Sequence, residues 1–475
     1  MCKPSRSTSL ETTTQPVLVG KFKIGPEERN SFAWKARLPV DMGDSGSMIQ
    51  ETTSMKLIPF LTKEKTRFIR QKFGTPVFVY DQRTLQHQAG LVLDFPNAFG
   101  LTVRYAVKAC PTSAVLKVLT DAGLHFDASS GYEVERALRA GVSPELIQLT
   151  TQHVPDNLDA LVEKGGLFNA CSVAQIHAFG TRFPGRQLSI RVNPGLGSGH
   201  NHRTNVGGPA ASFGIWHEHL HEALAAGRRY GLKFTRLHTH IGSGSDPKVW
   251  ERVALMSLET CAHLPDVTVL NLGGGYKMGR VKGEQTTDLQ EIGLPVVQAF
   301  RSFAAKHGRR LHLEVEPGTY LAANSCALIA TVIDVVDTGR RGYKFLKVDT
   351  GMTEMLRPSM YGAQHPIEVV PSAIRRRQAE YVVVGHCCES GDVLTPAPGN
   401  PEVLQPRLLL ETRIGDLVAL GGAGAYCSSM AAKNYNSFPD AAEVMISENG
   451  SVELIRKRQT LDQIVQNEVV PSFLC

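Results

Sequence analysis

The sequence predicts an α/β protein: a closed (β/α)8 barrel followed by a mostly antiparallel β domain. Two observations carry this. Between residue 100 and about 330, short runs rich in Val, Ile, Leu and Phe alternate with stretches whose apolar residues recur three or four apart. After residue 333, apolar runs sit between Gly and Pro punctuation without such helical stretches.

Taken in order, the predicted strands are 101–108, 124–128, 147–151, 167–171, 187–193, 234–240, 267–272 and 311–316. The predicted helices are 112–122, 132–141, 156–164, 173–182, 217–229, 248–263, 289–307 and an eighth at about 320–330. Val134, Ala137, Leu138 and Val142 show the helical spacing, and Pro155-Asp156 and Ser172 supply starts. Successive strand–helix units require parallel strands joined by crossover helices. Eight such units in about 230 residues match a closed barrel better than an open sheet.

In the second domain, runs at 332–336, 343–348, 381–384 and 417–420 read as strands. Residues 443–446 and 452–455 flank Asn449-Gly450, a hairpin signal. The run Thr75 to Tyr80 reads as an entering strand that fits either domain. The expected organisation is an extension over 1–54, a barrel with its entering segment over 55–332, and a β domain over 333–475.

Composition narrows the function classes. A chain of 475 residues with 42% hydrophobic and 20% charged residues is an ordinary globular protein of two or three domains. The net charge of +6 is dispersed, with no basic block longer than Arg375-Arg376-Arg377, which argues against a nucleic-acid partner. No run of eighteen apolar residues offers a membrane span. The nine cysteines form no regular framework, which points to a reducing, cytoplasmic setting. The first 54 residues are rich in Ser and Thr and read as a disordered tail. The alternative is organelle targeting, against which Glu11, Glu27 and Glu28 count.

In such a barrel, polar residues at strand carboxyl ends meet at one mouth. Lys108 ends the first strand, Asp127 the second and Arg191 the fifth. The sixth ends in His240-Ile241-Gly242-Ser243-Gly244, the seventh in Gly273-Gly274-Gly275, and the eighth in Glu316-Pro317-Gly318. A lysine desolvated among apolar neighbours loses its proton more readily, and a neutral amine attacks an aldehyde. Glycine loops let backbone N–H groups approach an anion, and Ser243 adds a hydroxyl. An amine that takes an aldehyde beside two anion-binding loops points to pyridoxal 5′-phosphate (PLP). A carboxylate such as Glu316 keeps the pyridine nitrogen protonated, and His240 is placed to stack on the ring, or else is a core histidine. His238 and His240 lack a clear third ligand, so no metal site is expected.

Tyr105-Ala106-Val107-Lys108-Ala109, His240 to Ser243, Gly273 to Gly275 and Glu316 to Gly318 together resemble the PLP-dependent decarboxylases of fold type III, the ornithine, arginine and diaminopimelate decarboxylase family. Arg357-Pro358-Ser359-Met360-Tyr361, Cys388-Glu389-Ser390-Gly391-Asp392, Gly424-Ala425-Tyr426 and Asn434-Tyr435-Asn436 are most similar to its diaminopimelate decarboxylase branch. The resemblance spans roughly residues 55 to 460. It implies that Lys108 carries PLP as a Schiff base, that His240 and Glu316 contact its ring, and that Asp127, Arg191 and Gly318 line the cofactor. Ser243, Gly273, Gly274, Gly275 and Tyr426 would hold the phosphate. Cys388 would be the acid that protonates the carbanion, donated by the partner subunit of a homodimer with shared active sites. Arg357, Tyr361, Glu389 and Tyr426 would bind the substrate.

The implied reaction is decarboxylation of a basic amino acid at a D-configured carbon, foremost meso-diaminopimelate to L-lysine. Two departures bear on it. The branch's Glu-Pro-Gly-Arg appears here as Glu316-Pro317-Gly318-Thr319, which removes a bidentate cation, and the loop Gly195 to Phe213 differs from the usual pattern. The alternatives are a D-lysine or D-ornithine decarboxylase, then an amino-acid racemase, for which a tyrosine rather than Cys388 is the expected second acid, then a non-catalytic PLP-binding relative.

Overall fold

The computed structural model describes residues 58–197, 206–240, 242, 246–375 and 377–474. Residues 1–54, Ile241 and Ser243 lie outside the described residues, and with them the expectations for the extension and for the Ser243 hydroxyl.

Eight parallel strands close on themselves: Leu101–Ala106, His125–Ala128, Ile147–Thr150, Leu167–Ala170, Gln187–Asn193, Lys233–His238, Val269–Asn271 and His312–Val315. The fourth strand pairs with the fifth (Asn169 opposite Ser189), and the eighth with the first (Leu313 opposite Leu101), so the barrel has no edge. The strands end within two residues of the predicted bounds, because a run buried on both faces reads as continuous apolar text. Each is followed by its helix. Ser130, Ser172 and Asp288 cap three of these by accepting the backbone N–H of Glu133, Gln175 and Glu291.

The eighth unit departs from expectation. Its helix is a single turn, Thr319–Ala322, then a 3-10 turn Ala323–Ser325, and at Cys326 the chain is already a strand that runs to Asp337. The segment read as helix, Cys326 to Ala330, is buried on every side, so its apolar residues carried no face to distinguish the two forms. This strand crosses the expected division at residue 332.

Strand Cys326–Asp337 is central to a second sheet of nine strands. Its neighbours are Lys344–Val348, Leu417–Leu420 and the entering strand Val77–Asp81, all antiparallel to it. The entering strand therefore belongs to this sheet, where it also runs parallel to Ala442–Ile446. Ala442–Ile446 and Val452–Arg456 form the hairpin around Asn449-Gly450. Strands Ile367–Val370 and Arg407–Leu410 were not predicted. No helix among the described residues is long and apolar enough to cross a membrane.

Candidate active site

Lys108 lies in a tight 3-10 turn, Val107–Ala109, that ends the first barrel strand. Its neighbours Val107 and Ala109 are buried, whereas its own side chain opens into the mouth and is ringed by protein at longer range. Two contacts fix the turn from outside the barrel. The Tyr426 N–H donates to the Ala109 carbonyl at 2.8 Å, and Ser429 Oγ donates to the same oxygen at 3.0 Å.

The charge state of this lysine corrects the sequence reading. Burial does lower its pKa, but Tyr426, Asp127 and Glu316 together raise it more, so the net shift is upward. The amine of the protein alone is an ammonium. The groups responsible arrive from other strands and from the second sheet, and local apolarity did not announce them.

Asp127 and Glu316 are both buried and share a polar network. Glu316 Oε2 accepts from His238 Nε2 at 3.0 Å, and its Oε1 accepts from Asn271 Nδ2 at 2.8 Å and Gln148 Nε2 at 3.0 Å. Gln148 Nε2 also donates to Asp127 Oδ1 at 3.1 Å, which receives Thr150 Oγ1 at 2.6 Å. Burial pushes Glu316 up, but His238 and then His240 and Lys108 outweigh it, so Glu316 is a firm carboxylate. Asp127 moves the other way, raised by burial and by the charge of Glu316. Two adjacent carboxyls have been driven apart by their surroundings.

His240 is neutral: burial, Arg191 and Lys108 hold its imidazole well below the ordinary value. Its Nδ1 accepts the Gly274 N–H at 3.1 Å, which leaves the proton on Nε2. The glycines here are needed for space. A Cβ on Gly273 would stand 2.6 Å from His240 Nδ1, and one on Gly274 would collide with the Glu316 carbonyl oxygen. The Gly273 N–H is already given to Asn271 Oδ1 at 2.8 Å. Of the three amides expected to meet an anion, only that of Gly275 makes no hydrogen bond among the described residues.

Arg191 completes this side of the mouth. It is buried at the end of the fifth strand, with its guanidinium 5.2 Å from the Phe213 ring and donating to the Val206 carbonyl at 3.5 Å. Asn193 organises the unusual loop beyond it, accepting the N–H of Gly195 at 3.1 Å and of Gly208 at 2.9 Å. Gly318 sits where a Cβ would come within 3.2 Å of Tyr426 Oη.

Arg357 begins the short helix Arg357–Tyr361. Burial raises the Tyr426 phenol above its ordinary value, and Lys108 and then Arg357 stand close enough to oppose part of that rise. Its Nη1 donates to His365 Nε2 at 3.1 Å, and His365 Nδ1 donates to the Gly421 carbonyl at 2.9 Å. Burial, Arg357 and Arg280 keep His365 neutral, as this acceptor role requires. Tyr361 OH reaches Met430 Sδ at 4.0 Å.

Cys388 and Glu389 are not brought to this mouth by the contacts of a single chain. Both are exposed, and their hydrogen bonds stay within loops of the second sheet: Cys388 N–H to Asn436 Oδ1 at 2.8 Å, and Tyr435 OH to Glu389 Oε2 at 3.4 Å.

Sequence reasoning missed Gln148, Thr150, Asn271 and the part His238 plays. Their signal was present: polar side chains punctuating otherwise apolar strands, as in Ile147-Gln148-Leu149-Thr150. A second such layer lies two residues down the eighth strand, where Glu314 accepts Arg104 Nη2 at 2.9 Å and also pairs with Arg236.

Residues 87–323 match the family described as pyridoxal-dependent decarboxylase, pyridoxal binding domain. The chain is 35% identical over 421 residues to the diaminopimelate decarboxylase of Escherichia coli (strain K12), covering 86% of this chain and 97% of that one. It is 36% identical over 408 residues to that of Streptomyces coelicolor, covering 84% and 90%. A crystal structure of diaminopimelate decarboxylase superimposes with a TM-score of 0.80 at 34% identity, covering 86% of this chain and 96% of that one. The Helicobacter pylori diaminopimelate decarboxylase complexed with L-lysine superimposes with a TM-score of 0.74 at 26% identity, covering 84% of this chain and 98% of that one.

The mouth fits PLP on its own chemistry. It offers an amine, a firm buried carboxylate, a neutral imidazole and a glycine loop that any Cβ would block. The fold, the site and these likenesses agree that the chain belongs to the pyridoxal-dependent decarboxylases, in their diaminopimelate decarboxylase branch, and is a PLP-dependent carboxy-lyase.

Proposed function

We propose that the chain removes the carboxylate at the D-configured carbon of meso-diaminopimelate and yields L-lysine. The observation that carries this reading is the fixed guanidinium of Arg357, oriented by neutral His365 on the Tyr426 side of the mouth. A cation held there suits a substrate with a second carboxylate. When bound, PLP supplies the electron sink for the pair left by departing carbon dioxide.

The residues then divide the work. Lys108 provides the amine that holds the cofactor. Glu316 would present its carboxylate to the pyridine nitrogen, and His240 would lie against the ring with Asp127, Arg191 and Gly318 around it. Gly275 and Tyr426 would meet the phosphate, with Ser243 expected there from the sequence alone, while Gly273 and Gly274 give the backbone room. Arg357 and Tyr361 would grip the far end of the substrate, and Glu389, exposed beside Cys388, would reach it only in the mouth of a partner subunit. Alignment of the breaking bond is the main contribution of these contacts.

Cys388 delivers a proton from Sγ, and we assign it to the mouth of a partner subunit in a homodimer. Its exposure, and the confinement of its bonds to the second sheet, support that assignment. Thr319, in place of an arginine, favours a second reading as a decarboxylase of D-lysine or D-ornithine. Carbon dioxide release by the purified protein with PLP decides between them: meso-diaminopimelate is expected to give L-lysine with the highest kcat/KM. Turnover of D-lysine or D-ornithine alone overturns the first reading.

A further inference from the structure

Beside Arg357 stands a second guanidinium with unused hydrogen-bonding capacity. Arg280 lies in the loop between the seventh strand and helix Leu289–His307. Its backbone N–H donates to Glu284 Oε2 at 2.8 Å, and the Gly279 carbonyl before it accepts Asn324 Nδ2 at 3.0 Å, so the loop is tied at both places. Its Nε donates to the Gly422 carbonyl at 3.1 Å. Its Nη2 is buried and meets no acceptor among the described residues. Gly422 is required there, since a Cβ would stand 2.7 Å from Arg280 Cδ.

Arg357 is anchored one residue away, because His365, which receives its Nη1, is itself bonded to the Gly421 carbonyl. Two guanidiniums thus converge on one turn, Gly421-Gly422, four residues before Tyr426. Burial and the nearby Arg357 charge bring Arg280 down to about 9. Bringing two like charges together under cover is unfavourable unless an anion lies between them.

We propose that Arg280 and Arg357 form a paired clamp for the distal carboxylate of the substrate, with Arg280 supplying the charge that Thr319 lacks. This rests on the reading of a dicarboxylic substrate, and it makes Arg280 a specificity-determining residue.

The test uses PLP-loaded wild type, Arg280→Gln and Arg280→Lys, with two readouts. One is kcat/KM for meso-diaminopimelate against D-lysine. The other is equilibrium binding of pimelate, a dicarboxylate without amino groups, by calorimetry. Losing one charge-assisted bond to a carboxylate is expected to cost Arg280→Gln roughly ten- to a hundredfold in KM for meso-diaminopimelate and in pimelate affinity. Turnover of D-lysine should fall far less, and Arg280→Lys should recover part of the loss. Arg280→Lys abolishes the Nε bond to Gly422 yet keeps a charge, so a merely bracing role predicts that Lys and Gln weaken every ligand alike. That result, or unchanged pimelate affinity in Arg280→Gln, overturns the clamp. If wild type does not turn over meso-diaminopimelate, the substrate reading fails instead. Should Arg280→Gln not fold, Arg280→Lys is read alone: a larger loss on meso-diaminopimelate and pimelate than on D-lysine supports the clamp, and an equal loss on both substrates overturns it.

Discussion

At Lys108 an ammonium faces two carboxyls and a phenol that outweigh its burial. Its pKa is raised, so the attacking neutral amine is the minor form throughout the neutral range. Below that pKa the neutral fraction grows about tenfold per pH unit. Uptake of PLP by stripped protein should therefore accelerate as pH rises from 6 to 9, read as growth of the visible band in stopped flow. A rate that is flat over that range contradicts the raised value. Lys108→Ala should show no such band and no pyridoxyl adduct at residue 108 by mass spectrometry after borohydride reduction. The position of this lysine was legible in the sequence, since an apolar run ended on it. Its charge was not, because Asp127 and Glu316 lie 19 and 208 residues further along the chain.

The barrel strands carry two polar layers where apolar ones are usual. In the lower layer burial pushes Glu314 up, but Arg104 and Arg236 bring its carboxyl down to about 2. The sign follows from linkage. A carboxyl held below its unfolded value adds stability that is complete above the unfolded range and is lost as pH falls toward 2. Glu314→Gln leaves two enclosed guanidiniums without a counter-charge and should cost about 3–5 kcal/mol in denaturant unfolding at neutral pH. In the loop after the seventh strand, Gly274→Ala drives a methyl into the Glu316 carbonyl oxygen and should cost roughly 1–3 kcal/mol, with weaker PLP retention on dialysis. Periodicity identified the barrel strands because each is a short apolar run between turns. It failed at Cys326 to Ala330, where burial on all sides erased the pattern, and at Ile367–Val370 and Arg407–Leu410, whose pairing is decided by partners far away in sequence.

At the scale of the whole molecule, Cys388, the proposed proton donor, and Lys108 belong to different surfaces of one chain. If each mouth borrows Cys388 from its partner, Lys108→Ala and Cys388→Ala are inactive separately and complement when mixed. Random reassortment makes half the dimers mixed, each with one intact site, so about a quarter of wild-type activity should return. No recovery after verified subunit exchange would contradict shared sites. The motif text pointed to this cysteine, but which mouth it serves is a property of assembly, and a lone chain carries no signature of that in its periodicity.

The Ala109 carbonyl receives both the Tyr426 amide and the Ser429 hydroxyl, from the segment that follows strand Leu417–Leu420 of the second sheet. The lysine turn is thereby riveted to a different layer of the molecule than the one that bears it. A barrel excised from its companion sheet would lose those rivets along with its entering strand. Vitamin occupancy thus becomes a gauge of how intact the entire architecture is, and limited proteolysis that severs the two layers should bleach the protein before the barrel itself melts.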